Sequence, residues 1–163
     1  MKQLNYTVPT DCPYYLITRA SLSITSMLKK EFMNKGVEEV KPAYLSVLMC
    51  LWNQGTKEEI NENAEMGIKL TELGRCAGLE PSTMTGIIDR MERDELLYRS
   101  DDPNDRRAQK IKLTEKGIQA RTTVTDVVNK ILNEVFAGIK PDQIDVCKTV
   151  LNQVLVNLNK WGV

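Results

Sequence analysis

The chain has 163 residues, 42% of them hydrophobic, and its 22 lysines and arginines are balanced by 22 aspartates and glutamates. This length and apolar content suit one domain with a sizeable core, whereas the balanced charge favours neither nucleic acid nor a membrane as a partner. The sequence contains no histidine, so histidine-activated nucleophiles and the usual zinc sites cannot be assembled. We therefore expect a protein that is not an enzyme and that holds neither a metal nor a cofactor.

The four cysteines lie far apart in the sequence and form no CxxC pair. Three of them, Cys50, Cys76 and Cys147, fall at apolar or helical positions and are interpreted as small core residues. The N-terminal segment lacks the apolar run of a signal peptide, and no later run approaches the roughly 18 to 20 apolar residues of a membrane span. These features predict a reduced, cytoplasmic protein with no membrane partner.

Two helices are predicted in the first third of the chain. Apolar residues recur at helical spacing from Pro13 to Asn34, where the proline suits the first helical position and Gly36 follows the end. A second helix, from Ala43 to Trp52, is apolar nearly all round and is therefore expected to be buried.

Residues 70–97 have the spacing of a helix-turn-helix. A short helix ends at Gly78, which can adopt the positive φ of a tight turn, and Pro81 is placed to begin a second helix that runs to residue 97. At 100° per residue, one face of this second helix is apolar. Its members are Met84, Ile87, Ile88 and Met91. The opposite face begins with small hydroxyl side chains and a glycine, so a partner can closely approach the positive N-terminal end of the helix.

Residues 98–113 are predicted to form a wing, in which two short strands are joined by the loop DDPNDRR. Ile111 and Leu113 are expected to point inward, and Lys110 and Lys112 outward. Residues 98–112 carry five basic and three acidic side chains, a net charge of +2. Basic charge on an exposed ribbon beside a helix attracts a phosphate backbone or a narrow minor groove.

Two further helices are predicted after the wing, over residues 115–136 and from Pro141 to Trp161. The last helix has an apolar seam formed by Ile144, Cys147, Leu151, Val154, Leu158 and Trp161. Such a seam suits pairing with helices of a second chain, although an intramolecular core would use the same pattern. The length of the seam in so small a chain favours a dimer interface.

The segment LTELGRCAGLEPSTMTGIIDRMERDELLYRSDDPNDRRAQKIKLTEKG resembles the MarR family of winged helix-turn-helix regulators. The most specific part is D-x-R-x-x-x-I-x-L-T-x-x-G, here Asp105, Arg107, Ile111, Leu113, Thr114 and Gly117. The resemblance implies a mainly α fold with a small β-wing. The winged helix-turn-helix lobe would cover residues 43–114, with the recognition helix at 81–97 and the wing at 98–113. Dimerisation helices would occupy residues 11–35 and 115–163.

The resemblance also implies a homodimeric, sequence-specific DNA-binding regulator, expected to repress transcription from a pseudo-palindromic double-stranded operator until a small molecule or an oxidant releases it. The expected DNA-contacting residues are Ser82, Thr83, Thr85, Gly86, Arg90, Arg93, Arg106, Arg107 and Lys110. Arg107 would enter the minor groove, and Asp105 would support the wing by holding it in an ion pair. A second interpretation stays open, that of a helical protein–protein interaction module whose winged fold does not bind DNA.

The signal that such a regulator senses has two candidate sites. Cys12 lies at a helix N-terminus, which favours a thiolate, so it is a candidate redox sensor, and a helix-start cysteine without a signalling role is the alternative. Tyr14, Tyr15, Tyr44 and Trp52 are candidates to line a cleft for a small aromatic effector, and the alternative is that they belong to the core. One departure from the family is Glu95, which stands where glycine is common.

Overall fold

The computed structural model describes residues 9–53, 67–102 and 105–160, and it describes the backbone but not the side chains of residues 105–108. The helices are α1 (Pro13–Asn34), α2 (Leu45–Trp52), α3 (Leu70–Ala77), α4 (Pro81–Arg93), α5 (Glu115–Val135) and α6 (Pro141–Asn159). The strands are β1 (Ile68–Lys69), β2 (Leu97–Asp102) and β3 (Asp105–Leu113). Short 3-10 turns at Pro9–Asp11 and Pro42–Tyr44 precede α1 and α2. This mainly helical architecture with a small sheet confirms the predicted fold class.

The three strands form one antiparallel sheet in the order β1-β3-β2. In the β2–β3 hairpin Leu97 pairs with Leu113, and on the other side of β3 Ile68 pairs with Ile111. The hairpin occupies the place of the predicted wing, but its strands extend to Asp102 and from Asp105, into the segment predicted as a loop. The strand β1 was not predicted, because two residues are too few to show the alternation that identifies a strand.

One hydrophobic core joins the helix-turn-helix, the sheet and the inner faces of α1, α2 and α5. Its least exposed members include Phe32, Leu48, Leu73, Ile88, Leu97, Ile111 and Val124. The predicted inner face of the second helix-turn-helix helix is confirmed, because Met84, Ile87, Ile88 and Met91 are all buried. Helix α4 is therefore held on the core by one face only, which leaves its opposite face toward solvent.

Helix α4 ends at Arg93, before the predicted end at residue 97. The chain leaves the helix through Glu95, which has a positive φ of 61°, and the amide of Leu96 donates back to the carbonyl oxygen of Met91 at 2.9 Å. This is the arrangement of a Schellman motif, in which glycine usually occupies the left-handed position. The turn brings Leu96 and Leu97 into the core and starts β2 immediately.

The long helices outside the lobe bury only part of their apolar surface within the chain. Helix α1 packs against α5, where the Lys130 ammonium lies 2.7 Å from the Glu31 carboxylate. Helix α6, over its described length, has no buried residue. Its exposed large apolar side chains are Val146, Val150, Leu151, Val154, Leu155, Val156 and Leu158. Trp161 of the predicted seam lies outside the described residues.

The cysteines correct the expectation of a fully reduced chain. Cys50 of α2 and Cys76 of α3 form a disulfide, with their Cα atoms 6.1 Å apart. Cys50 is buried as expected, but Cys76 and Cys147 are exposed, so their interpretation as core residues was wrong. The pair was missed because 26 residues separate its members in sequence, whereas α2 and α3 are packed neighbours in the fold.

None of the helices in the described ranges is long and apolar enough to cross a membrane.

Candidate nucleic-acid interface

The outward face of α4 presents small polar side chains at its N-terminal end. Ser82, Thr83 and Thr85 are exposed, and Gly86 is partly exposed beside them. Pro81 occupies the first helical turn, which contains no acidic residue. The amides of a first helical turn carry partial positive charge, so this end of α4 attracts an anionic group.

The turn between α3 and α4 sets the direction of this helix. Gly78 adopts a left-handed conformation with φ of 64°, and the amide of Leu79 donates to the carbonyl oxygen of Gly74 at 3.0 Å. Glycine takes this conformation without the steric cost that a Cβ imposes. Buried Leu73 and Met84 then anchor the two helices on the same core.

The acidic residues of α4 are partly neutralised by the wing. The Arg99 guanidinium on β2 forms ion pairs with Asp89 and Glu92, and the Arg99 backbone amide donates to the Glu92 carboxylate at 3.1 Å. The hydrogen bond to Asp89 raises the pKa of Arg99, and both carboxylates add to that effect. Arg99 was counted among the wing charges available to DNA, but its charge serves this internal network.

Two basic residues are exposed near the other end of α4. Arg90 and Arg93 lie in its last turn, where they are solvent-exposed. A Cβ at Gly86 would lie 3.6 Å from the Arg90 guanidinium, so this glycine and arginine are neighbours on the surface. Positive charge at a helix C-terminus is favoured by the helix dipole and stays accessible to a phosphate group.

A buried carboxylate at the end of β2 ties the three strands together. Asp102 has 3% relative exposure, and its two oxygens lie 3.6 Å from the Lys69 ammonium and 3.7 Å from the Lys110 ammonium. The Lys110 side chain has only 19% exposure. Lys110 was predicted to point outward to DNA, but the structure places its charge against Asp102, where it holds the sheet.

The tip of the wing contains the family-motif residues Asp105 and Arg107. The backbone of β3 extends through this tip, in register with β2 as far as the pair Asp102 and Asp105. The side chains of Asp105, Arg106 and Arg107 lie outside the described residues. The minor-groove role of Arg107 and the supporting role of Asp105 therefore stay predictions.

The L-T-x-x-G part of the motif joins the wing to the end of α4. The Thr114 hydroxyl donates to the Glu95 carbonyl oxygen at 2.6 Å and accepts from the Gly117 amide at 3.1 Å, which caps α5. The Trp52 indole donates to the Gly117 carbonyl oxygen at 3.0 Å. Hydrogen bonds thus tie α2, the turn after α4 and the start of α5 together at this point.

The four aromatic residues proposed for an effector cleft have different environments. Tyr44 and Trp52 are buried, and the Tyr44 hydroxyl donates to the Asp94 carboxylate at 2.8 Å. Burial, followed by this hydrogen bond, raises the pKa of Tyr44. Tyr14 is 76% exposed, whereas the half-buried Tyr15 accepts a hydrogen bond from Arg19. Two of the four therefore belong to the core.

Cys12 is half-buried and is the N-cap residue of α1. Its side chain makes no capping hydrogen bond within the described structure. This placement at the start of α1 agrees with the position predicted for it, while its redox role is untested.

A cavity of about 460 Å³ lies beside the helix-turn-helix, against the last residue of α6. It is lined by Leu70, Thr71, Gly74, Arg75, Gly78, Leu79, Glu80, Pro81, Met84, Thr85 and Asn159. The four aromatic candidates are not among these lining residues. The cavity was missed in the sequence because its wall is formed by small and apolar residues that also serve the helix-turn-helix turn. Thr85 belongs both to this wall and to the outward face of α4.

The chain resembles known proteins in sequence. The sequence model of the MarR family matches residues 41–108, from the turn before α2 through the tip of the wing. The helix-turn-helix and most of the wing therefore have the sequence pattern of the MarR family. The chain is 24% identical to the HTH-type transcriptional regulator MhqR of Bacillus subtilis (strain 168), over 91% of the chain and 92% of that relative. The proteins that the chain matches are transcriptional regulators and not enzymes.

Solved structures show the same fold at lower identity. The PcaV transcriptional regulator from Streptomyces coelicolor, solved with its natural ligand, superposes with a TM-score of 0.75 at 19% identity, covering 93% of this chain and 96% of PcaV. CouR from Rhodococcus jostii RHA1, bound to p-coumaroyl-CoA, has a TM-score of 0.70 at 23% identity. The match covers 92% of this chain and 96% of CouR. A structure of the transcriptional repressor CouR on a 23-mer DNA duplex has a TM-score of 0.69 at 21% identity, covering 94% and 99%.

Proposed function

We propose that this chain is a homodimeric repressor of the MarR family that occupies a pseudo-palindromic operator, with one α4 helix in each of two successive major grooves. The main observation behind the proposal is that α4 has one buried apolar face and one exposed polar face. Its inner face is buried, while Ser82, Thr83 and Thr85 stand exposed at the end of the helix that attracts phosphate. Short side chains at that end let the helix backbone approach the base edges closely.

Dimerisation is supported by the apolar surface that α1 and α6 leave exposed. Leu22 of α1 is 66% exposed and Leu155 of α6 is 58% exposed, with further apolar neighbours on both helices. Contiguous exposed apolar surface of this kind marks an interaction site. In this proposal residues 11–35 and 115–163 supply the dimer interface, and residues 43–114 form the DNA-binding lobe. A two-fold dimer presents two copies of α4, which matches a palindromic operator.

The wing completes the proposed contact. Arg107 is assigned to the minor groove beside each half-site, with Asp105 holding it, and Arg106 is assigned to a phosphate. Arg90 and Arg93, exposed at the far end of α4, are assigned to phosphates across the same groove. The charge of Lys110 serves the sheet in this proposal, because its ammonium lies 3.7 Å from the buried Asp102.

Release from DNA is assigned to a small aromatic effector. CouR was solved with p-coumaroyl-CoA, and another neighbour, BpsR of Bordetella bronchiseptica, has DNA binding regulated by 6-hydroxynicotinic acid. In this chain the cavity between the helix-turn-helix and Asn159 is the proposed effector site, because Pro81 and Thr85 in its wall begin the recognition helix. A ligand there would move the DNA-contacting end of α4. An oxidant acting at Cys12 is the second proposed release signal.

Selection from a random DNA library tests the operator proposal. We expect an inverted repeat whose half-site centres are about one helical turn, or a multiple of it, apart, bound by one dimer. Because the proposed partner is promoter DNA, we expect the protein to act in the cytoplasm. A library that yields no enriched sequence, from protein that is folded and dimeric, would favour the protein–protein interaction module instead.

A further inference from the structure

We propose that Cys50 and Cys76 are a thiol modification site, a dithiol that hydroperoxides convert into the disulfide seen in the structure. The two residues come from different helices of the DNA-binding lobe, α2 and α3. Their Cα separation of 6.1 Å falls within the range that a disulfide spans without backbone movement. The packed helices therefore present the two sulfur atoms to one another before any bond forms.

The two cysteines differ in solvent exposure, so we assign them to different steps of disulfide formation. Cys76 is exposed in the last turn of α3, whereas Cys50 has 9% relative exposure and is part of the hydrophobic core. A soluble oxidant therefore reaches Cys76 first. Cys50 then acts as an intramolecular partner, whose fixed position makes the second step fast compared with attack by a free thiol.

The reaction balances with a hydroperoxide as the two-electron oxidant. The Cys76 thiolate attacks one peroxide oxygen, the O–O bond breaks, and an alcohol leaves, or water when the oxidant is hydrogen peroxide, so that Cys76 becomes a sulfenic acid. The Cys50 thiolate then attacks the Cys76 sulfur, the S–S bond forms, and hydroxide leaves and takes up a proton as water. Two thiols lose two electrons and two protons in total. A small dithiol reverses the change by disulfide exchange.

The position of the cross-link determines its effect on the molecule. It connects α2 to the end of α3, immediately before the Gly78 turn, and both helices lie in the lobe proposed to bind DNA. With the disulfide present, Ser82, Thr83 and Thr85 are exposed, so the oxidised lobe keeps its recognition surface. We therefore expect oxidation to stabilise the lobe and to leave operator binding intact. This last expectation rests on the proposed function.

The test starts from protein reduced with dithiothreitol, desalted, and exposed to stoichiometric hydrogen peroxide. We expect the four free thiols to fall to two and a non-reduced tryptic map to show the Cys50 peptide linked to the Cys76 peptide. The thermal unfolding midpoint should rise by roughly 5 to 10 °C on closure of a loop of this length. Cys147→Ala should respond as the wild type does, since Cys147 is exposed but outside the pair.

Cys76→Ala changes only the exposed partner and should show no peroxide-dependent rise in the midpoint. The site is refuted if folded wild-type protein keeps four thiols after peroxide, or if the linked peptides contain Cys12 or Cys147 instead. Loss of operator affinity by tenfold or more in the oxidised wild type, but not in Cys76→Ala, would overturn the expectation that the recognition surface is kept. Reduced protein that binds no DNA would overturn the proposed function alone, because the peptide map and the midpoint need no operator.

Discussion

A Cβ atom on Gly117 would overlap the carbonyl oxygen of Leu96, so the turn that follows the recognition helix and the start of α5 touch backbone to backbone. Leu96 is fully buried, and the same carbonyl oxygen accepts a hydrogen bond from the Thr114 amide at 3.1 Å. The glycine of the L-T-x-x-G motif is therefore required by a close approach of backbone, in a region that also positions α4. No larger residue fits without moving one of the two segments.

Gly117→Ala should destabilise the protein by about 1 to 3 kcal/mol, because the added methyl group must displace a buried backbone carbonyl. Urea unfolding followed by circular dichroism measures this change. Gly86→Ala is a matched control, since a Cβ there meets only the Arg90 guanidinium at 3.6 Å and the residue lies inside a helix. The control should be neutral or slightly stabilising. Equal stability of Gly117→Ala and the wild type would contradict the close approach.

Gly86→Ala should nevertheless weaken operator binding by roughly 5- to 30-fold, or about 1 to 2 kcal/mol, because its methyl group stands on the proposed DNA-facing side of α4. Fluorescence anisotropy with the selected operator measures this loss. Ala43→Ser adds one atom at an exposed position outside the proposed DNA contacts and dimer helices, and it should leave the affinity unchanged. Unchanged affinity of Gly86→Ala would mean that α4 does not approach the groove by this face.

Arg99→Ala should lower operator affinity by about 1 to 2 kcal/mol, although Arg99 itself is proposed not to touch DNA. Its removal leaves Asp89 and Glu92 without their shared partner on the helix that is proposed to face the phosphates. Adding Asp89→Asn to the Arg99→Ala protein should restore part of the affinity, because the uncompensated charge is removed. Affinity that does not recover in the double variant would instead assign Arg99 to direct DNA contact.

Glu95→Gly should stabilise the fold by about 0.5 to 1 kcal/mol, because φ at Glu95 is 61°, a conformation that costs a residue with a Cβ. The ion pair that is lost, with Lys116 at 3.8 Å, involves a Glu95 side chain with 80% exposure and contributes little. Glu95→Ala removes the same ion pair but keeps the Cβ. Glu95→Ala should therefore show no gain in stability in a chemical denaturation experiment. An equal gain in stability in both Glu95 variants would exclude backbone strain as the cause.

Leu155→Glu should convert the proposed dimer into monomers, because it places a charge within the apolar surface of α6. Analytical ultracentrifugation measures the molecular mass directly. Asn152→Glu adds the same charge to the same helix at a polar position and should stay dimeric. A dimeric Leu155→Glu protein would place the dimer interface elsewhere. Loss of operator binding together with loss of the dimer would support two-fold recognition.

The sequence predicted the parts of the fold that depend on periodicity. The inner face of α4 follows from a 100° rotation per residue, and its apolar members are buried as predicted. The end of α4 was placed too late, since helical periodicity continues through Glu95 and Leu96 and does not show that Glu95 adopts a left-handed conformation. The Cys50–Cys76 pair depends on contact between helices distant in sequence, which no local pattern records.

The charge pattern of the wing predicted where its basic residues lie, but it did not predict which carboxylates they pair with. Alternation along β3 assigned Lys110 to the outer side of the wing, but sequence alone does not show that a buried carboxylate, Asp102, meets it there. Arg99 is similar, because its partners on α4 become neighbours only when the hairpin folds back on the helix. The predicted surface of small hydroxyl groups on α4 is present, while its contact with DNA is still a prediction.

The most direct test of the account is a titration of the selected operator with the dimer, by fluorescence anisotropy at several salt concentrations, for the wild type and Arg107→Ala. We predict tight wild-type binding that weakens by powers of ten over a modest rise in salt, and a loss of roughly 1 to 3 kcal/mol per wing in Arg107→Ala. Lys41→Ala, which removes one positive charge at an exposed position outside the proposed DNA contacts and dimer helices, is the control. Wild-type binding that is insensitive to salt, or an Arg107→Ala dimer with unchanged affinity, would contradict the account of DNA recognition by α4 and the wing.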